Sequence, residues 1–483
     1  MKPETLRAAL NGWGTAEAFY QERDDRTARE ISHLARYVLR PVEVHVDPDA
    51  VQTWTVQALA LIACNLLARW ARSIRVVTRD AVLSDPLARD GHSKFTERLL
   101  AEMRGADPFG DFCWGEHVAE NRGHTADTLR LFVGPWYKGP IRPEGDDYLI
   151  HAAGWTALGN RGGKLSWPVP SEASISAVGL AAALGVGDVF KRAVGHPRGA
   201  WLPSYAWCTW TQEFAANLHG PPPGLTQEIP RVQRLGRTLL AGAGAIGSAL
   251  VYLLDLEPMA GTLGVLDRDR IETSNLNRSP LFRVSHVLEH SYKVDVVRSY
   301  LEKRGVEVEL LRGSWASLAE AVMAGGFERW ISLTNEEGAW AQVPFLLPPT
   351  VLHATTTSGW GFGAGRHEPG VDDCTLCRMP RPEARFRGRC AEGEIVENDA
   401  PPIRASLPFL SVAAASLLAA ELSKSRSADQ MLLPNDTTAD LRVGLPAVIA
   451  LRRGPTSGCR GCRAAALGHR SKVRVSTGVP VDR

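Results

Sequence analysis

The segment 239–282, LLAGAGAIGSALVYLLDLEPMAGTLGVLDRDRIETSNLNRSPLF, leaves this chain few folds to choose from. It reads as an apolar strand, a glycine-rich turn, an apolar helix and a second strand ending Asp267-Arg268-Asp269. A polar loop carrying Asn275 and Arg278 follows. Gly242, Gly244 and Gly247 form G-x-G-x-x-G between the strand and the helix. Glycines at those places allow a tight turn and close backbone approach, and the helix that follows offers free N–H groups to a phosphate. Strand–helix–strand units of this kind build a parallel sheet covered by helices, so the fold class is α/β. By itself the glycine motif most often marks an NAD or FAD site; the loop after the second strand is what changes the reading.

About half of the 483 residues precede the motif, enough for a further domain at roughly 150 residues each. That half has a similar rhythm. Residues 42–46 read as a buried strand, 54–70 have helical apolar spacing, and 74–78 read as a second strand closing on Thr78-Arg79-Asp80. The two strand ends lie 189 positions apart (267 − 78 = 189). Slid by that amount without a gap, Thr53, Thr55 and Ala58 fall opposite Gly242, Gly244 and Gly247, and Thr78 falls opposite Asp267. A second echo pairs ASISAVGLAAALGVGDVFK, from Ala173, with ASLPFLSVAAASLLAAELS, from Ala405. We read an internal duplication whose first copy kept its core and lost its nucleotide site. The boundary falls in the proline-rich stretch running from Gly220 to Pro230. The expected units are 1–230 and 231–466, with a basic, polar and disordered tail at 467–483.

The net charge of +2, from 55 basic and 53 acidic side chains, gives no electrostatic reason to expect nucleic acid or a membrane surface as partner. No stretch approaches the ~18 unbroken apolar residues of a transmembrane helix, and residues 407–420 read as a buried helix instead. The start shows no secretory signal, so the expected location is cytoplasmic. Of eight cysteines, Cys374 with Cys377 and Cys459 with Cys462 form two C-x-x-C pairs, each suited to two corners of a closed tetrahedral Zn²⁺ site. Cys64 falls in an apolar helix and reads as core. Cys113 and Cys208 sit beside tryptophans and read as partly buried. Cys390 is left over, beside Arg387 and Arg389 in a glycine-containing segment; nearby cations lower a thiol pKa and favour the nucleophilic thiolate.

Asp267 stands where a carboxylate accepts hydrogen bonds from a ribose hydroxyl. The run DRDRIETSNLNR, with Lys293 downstream, adds an amide and two cations, which suit a triphosphate and the charge that develops during attack at its α-phosphorus. In GAGAIG, DRD, SNLNR, Lys293 and the two cysteine pairs, the chain resembles the ThiF/MoeB and ubiquitin-activating enzyme family over about residues 235–465. The resemblance implies two Rossmann-like ThiF-type adenylation units in one chain, an inactive and an active half forming a pseudo-dimer with a structural zinc site. Such a chain is monomeric or a higher dimer.

The same resemblance implies an enzyme using ATP and Mg²⁺ to adenylate the C-terminal glycine of a ubiquitin-like modifier. The modifier is then captured as a thioester and passed to a ubiquitin-conjugating-type enzyme. By position, Gly242, Gly244, Gly247, Asp267 and Asp269 line the nucleotide, and Asn275, Arg278 and Lys293 hold the phosphates, the two cations also acting in catalysis. Cys390, in a loop spanning 378–404, is the implied nucleophile. The family's magnesium-binding Asp falls on Asn335, with Glu336 or Glu337 able to substitute by a one-residue shift. An arginine is expected to reach in from the partner half, with Arg7, Arg23 and Arg26 as candidates. Without a ubiquitin-fold domain or a large cysteine domain, the chain looks like a compact bacterial relative from ubiquitin-like conjugation operons, some of which defend against phage. Three other readings stand beside this one. One is a sulfur-carrier adenylyltransferase of the thiamin or molybdopterin type; the second is a Rossmann oxidoreductase binding NAD, against which SNLNR and the cysteine pairs argue; the third is a catalytically weak scaffold, motivated by Asn335. His353 reads as structural or as facing the site, and Thr355, Thr356 and Thr357 as lining the cleft.

Overall fold

The computed structural model describes residues 12–28, 40–88, 91–116, 128–136, 143–163, 165, 170–216, 218, 223–334, 339–346, 349–357, 360–378, 407–427, 432–442, 444 and 446–467. The first sheet contains β1 (Val42–Val46), β2 (Ser73–Val77), β3 (Asp111–Gly115), β4 (Leu129–Val133), β5 (Tyr148–Ala153), β6 (Thr156–Arg161), β7 (Tyr205–Cys208) and β8 (Phe214–Ala215). Its spatial order is β3-β2-β1-β4-β5-β6-β7-β8. The second contains β9 (Gln233–Ala241), β10 (Met259–Leu266), β11 (Glu307–Leu311), β12 (Arg329–Ser332), β13 (Thr350–Thr357), β14 (Gly361–His367), β15 (Asp436–Asp440) and β16 (Ala447–Leu451). Its order, β11-β10-β9-β12-β13-β14-β15-β16, repeats the first. In each sheet five strands run parallel and three antiparallel strands complete one side. The chain is thus α/β, with two parallel-dominated Rossmann-like units.

The helices are α1 (Ala16–Ala28), α2 (Trp54–Leu67), α3 (Phe95–Ala106), α4 (Ile175–Ala193), α5 (Ala245–Leu254), α6 (Val284–Leu288), α7 (Lys293–Leu301), α8 (Trp315–Ala324), α9 (Ala339–Gln342) and α10 (Pro408–Lys424). Those nearest the centre are apolar on nearly every side. All nineteen residues of α4 are buried, as are Leu410, Val412 and Leu417 on α10. A helix apolar all round belongs inside a protein, and no helix among the described residues is long and apolar enough to cross a membrane. The two echoed helices pack on one another. A Cβ on Gly179 of α4 would lie 2.5 Å from Ser416 Oγ of α10, and one on Gly187 would lie 3.1 Å from Phe409. Small residues let the helices approach closely, and one buried cluster draws Leu61, Leu180, Leu250 and Leu418 from both units.

The structure changes the register of the duplication at one place. The strand ends, Val77 and Leu266, keep the offset of 189. The turns before α2 and α5 do not match in length: residues 47–53 fill the first and 242–244 the second. Thr53 is the N-cap of α2, its Oγ1 accepting from Val56 N–H (3.4 Å), so its structural counterpart is Gly244 and not Gly242. A gapless slide cannot show a turn that lengthened inside an otherwise equal repeat.

Between β8 and β9 the described residues form neither helix nor strand. Residues 223–230 lie against the first unit, where Trp155 donates from its backbone N–H to Gly224 O (3.2 Å) and from Nε1 to Glu228 O (3.1 Å). Cys64 is buried, and Cys208, read as partly buried, is fully buried. Cys113 is exposed, which corrects its reading as partly buried: β3 is the edge strand, and its alternation turns Phe112 inward and Cys113 outward.

Candidate functional site

In each sheet the strand order reverses direction of travel between the first and fourth strands, β1/β4 and β9/β12. Open α/β sheets bind ligands in the crevice outside the carboxyl ends of their strands at such a switch point. In the second unit this crevice holds the glycine turn. Gly242 has φ +103°, a region side chains rarely adopt, and a Cβ there would lie 2.9 Å from Leu333 C. A Cβ on Gly247 would lie 2.1 Å from Gly242 O, so α5 sits directly on its own turn. Gly244 differs, because a Cβ there would meet nothing within 4 Å among the described residues. The protein itself requires two of the glycines; the third leaves the α5 N-terminus open to a ligand. Gly247→Ala is therefore expected to lower stability by about 1–3 kcal/mol through overpacking. Gly244→Ala is expected to leave it within about 0.5 kcal/mol yet weaken nucleotide binding. Thermal melts with ATP titration calorimetry check both, and equal melting of the two variants would count against this assignment.

The first unit fills the corresponding place with protein. Asp47 follows β1 as Gly242 follows β9. Its carboxylate accepts from Trp136 N–H (2.6 Å) and Asp49 N–H (2.9 Å), and a Cβ on Gly134 would lie 2.6 Å from Asp47 Cβ.

Asp267 follows β10. Its Oδ2 accepts from Ala243 N–H (2.8 Å) and its Oδ1 from Asp269 N–H (2.9 Å), which ties the glycine turn to the next strand end. Burial lifts its pKa above the ordinary 3.8, outweighing Lys293 and the two donors. Lys293, the first residue of α7, is nearly buried and donates to Asp269 Oδ2 (2.7 Å). The first unit keeps this pair, as Lys94 with Asp80 (3.2 Å), but has Thr78 where Asp267 stands. Thr78 N–H bonds Gly115 O (3.1 Å) as Asp267 N–H bonds Leu311 O (3.3 Å), so the two units share this backbone frame and only the second has a carboxylate at this position.

The loop that follows β10 is held on both sides. Asn275 Oδ1 accepts from Glu272 N–H (3.1 Å), and Arg278 donates to Ser274 O. Asn277 Nδ2 donates to Thr27 Oγ1 of α1 (2.9 Å). Arg23 does not reach this loop. It is fully buried among Asp24 (2.7 Å), Asp107 (2.8 Å) and Ala68 O (3.2 Å), so its candidacy as the arginine crossing between halves is corrected: its charge is already matched inside the first unit. Among the described residues an arginine of the first unit that does reach this loop is Arg69, just past α2, which donates to Leu276 O, to Pro280 O (2.7 Å) and to Phe282 O (3.2 Å). No local pattern marks it, because the loop carbonyls it meets lie more than 200 positions away.

Cys374, Cys377, Cys459 and Cys462 converge, with all four Sγ atoms within 4.8 Å of one another. Neighbouring Sγ separations are 3.8 Å for Cys374–Cys377, 3.7 Å for Cys374–Cys459 and 3.4 Å for Cys377–Cys462. Tetrahedral Zn–S bonds of about 2.3 Å put sulfurs about 3.8 Å apart, so the donor set fits a thiolate-bound metal. His353 lies inside β13, bonded through Nδ1 to His367 Nε2 (3.0 Å), whose Nδ1 faces Asp373 O (2.9 Å); it belongs to the buried support of this cluster. Thr355, Thr356 and Thr357 close β13, grading from half-buried and buried to exposed. Cys390, Asn335, Glu336, Glu337, Arg7 and the Arg26 side chain lie outside the described residues.

Residues 227–323 match the model of the ThiF family. Over 88 residues the chain is 39% identical to the NEDD8-activating enzyme E1 catalytic subunit of Arabidopsis thaliana, a match covering 18% of each protein. Among solved structures it is similar to E. coli MccB with ATP (17% identity, TM-score 0.37) and to MccB with MccA (18%, TM-score 0.37). Both cover 47% of this chain and 66% of the other. The chain thus spans under two thirds of the length of these relatives.

Proposed function

We propose that this chain, which carries a ThiF family domain over residues 227–323, activates the C-terminal glycine of a ubiquitin-like modifier by adenylation and then captures it as a thioester. The observation that carries the reading is the open N-terminus of α5 at Gly244, with Asp267 at the adjoining strand end and the Asp269–Lys293 pair beside it. ATP fits these groups: Asp267 accepts from the ribose hydroxyls, the α5 N–H groups face phosphate, and Asn275, Arg278 and Lys293 supply the amide and cations around it. Mg²⁺ would offset phosphate charge, with Asn335, Glu336 or Glu337 as its candidate ligands. The modifier's terminal carboxylate oxygen attacks the α-phosphorus, and the bond to the bridging oxygen breaks as pyrophosphate leaves. The Cys390 thiolate, its proton gone to solvent, then attacks the acyl carbon; the bond from that carbon to the phosphate oxygen breaks, AMP leaves, and the thioester-bound modifier moves on to a conjugating-type enzyme. In this reading residues 1–230 are the inactive half of a pseudo-dimer, 231–466 the active half, and the four cysteines hold a structural Zn²⁺.

A non-reducing gel of wild type and Cys390→Ala with ATP, Mg²⁺ and a panel of ubiquitin-like modifiers tests the proposal. The expected result is a DTT-sensitive adduct in wild type alone. An adduct that persists in Cys390→Ala moves the nucleophile elsewhere. Pyrophosphate exchange without any adduct would favour the sulfur-carrier type of adenylyltransferase.

A further inference from the structure

Taking the adenylation reading as its basis, we propose that Arg69 of the first unit is a positioning residue for the nucleotide loop of the second, so that the ATP site depends on the glycine-poor half. The Arg69 guanidinium is buried and reaches across the junction of the units to three carbonyls. Leu276 lies before Arg278 in the loop, and Pro280 and Phe282 lie after it. One planar fork therefore fixes both limbs of the segment that presents Asn275 and Arg278. Arg69 is itself oriented by Asn65 Oδ1, which accepts from its Nε (2.8 Å), and Asn65 Nδ2 donates to Pro280 O (3.2 Å) and Glu102 Oε2 (2.9 Å). Glu102 in turn accepts from Arg283, the residue that follows the clamped carbonyls (3.2 Å). With Thr27 holding Asn277, four first-unit residues bear on the loop or its end.

Two features separate this from ordinary interface contact. A buried guanidinium whose main partners are carbonyls is costly to bury and is a poor stabiliser compared with apolar packing, so its specific geometry is the gain. The arrangement is also one-sided. Arg69 is the residue just past the C-cap of α2, and the residue just past the C-cap of α5 is Leu256, so at this position the second unit has no arginine to return such a clamp. A lysine cannot replace Arg69 in this role, because its three donors radiate from one point and cannot span carbonyls set around a fork.

Titration calorimetry of the full chain with MgATP alone, paired with thermal melts, tests the clamp. Arg69→Lys is expected to weaken MgATP at least tenfold. Trp54→Phe, which removes a different bond between the units (Trp54 Nε1 to Leu256 O, 2.9 Å), is expected to lower the melting temperature while leaving MgATP affinity within twofold. Asn65→Ala is expected to weaken MgATP about threefold, and it decides the matter if Arg69→Lys does not fold. Wild-type affinity in Arg69→Lys or, where that variant does not fold, in Asn65→Ala would overturn the clamp and leave the adenylation reading standing. So would equal weakening in Trp54→Phe, which would mean general loosening of the junction. A wild type that does not bind MgATP would overturn the adenylation reading itself.

Discussion

Asp267→Ala is expected to lower the affinity for ATP by about 100-fold or more. Two charge-assisted hydrogen bonds to a ribose, at about 1.5 kcal/mol each, make about 3 kcal/mol, which is about two decades in affinity. The substitution also frees Ala243 N–H and Asp269 N–H, so the glycine turn loses its tie to the next strand end. The fold itself should gain from losing the charge. Because burial raises the folded-state pKa, the stability this group contributes is fully present below the ordinary carboxylate pKa and is lost as pH rises through the folded value. At pH 7 the ionised carboxylate is therefore a cost, and Asp267→Asn should melt no lower than wild type while binding ATP poorly. By the same sign, wild-type ATP binding should fall on acidification at a pH above 3.8, as Asp267 gains its proton. Calorimetry across pH, with melts of both variants, reads all three effects. A variant that binds ATP like wild type removes Asp267 from the site.

The second large effect is expected at the cysteines. In wild type we expect one zinc per chain by elemental analysis. In the Cys377→Ser/Cys462→Ser double variant we expect none, with a melting temperature lower by about 6–12 °C. Structural zinc sites contribute on the order of 10 kcal/mol in small domains. Loss of even about 3 kcal/mol moves the midpoint by that amount in a unit of 150–250 residues. The cluster joins the segment after β14 to the one after β16 across 82 positions, and Gly461 is held so close that a Cβ there would lie 2.7 Å from Cys374 Sγ. Zinc-free wild type, grown with zinc and melting like the double variant, would sink the metal assignment.

How legible these features were in the chain follows from how local their causes are. The glycine turn, the strand end at Asp267 and the two C-x-x-C pairs are short-range patterns, so spacing alone locates them, and the four cysteines do converge. The repeat showed through Val42–Val46, α2 and β2 because buried parallel strands and helices impose apolar runs wherever they occur. The seven-residue turn before α2 was invisible, since polar turn residues carry no period. Arg69 and Arg23 could not be told apart by sequence. Both are arginines in the first unit, and only the folded junction decides that one meets Asp24 and Asp107 while the other meets loop carbonyls. Cys113 was misjudged because a neighbouring tryptophan says nothing about whether its strand is an edge.

The contact of α4 with α10 through Gly179 and Ser416 has a consequence for how such a chain can change over time. Between separate subunits, a substitution that loosens the contact lets the partners drift apart on dilution. Here both sides are on one polypeptide, and a tether holds the local partner concentration near the millimolar range whatever the protein concentration. Substitutions that would dissolve a free dimer are tolerated, and each side can diverge without the other having to mirror it. Under the proposed reading of the first unit as an inactive half, this leaves one half free to hold Asp47 and Thr53 where the other holds Gly242 and Gly244.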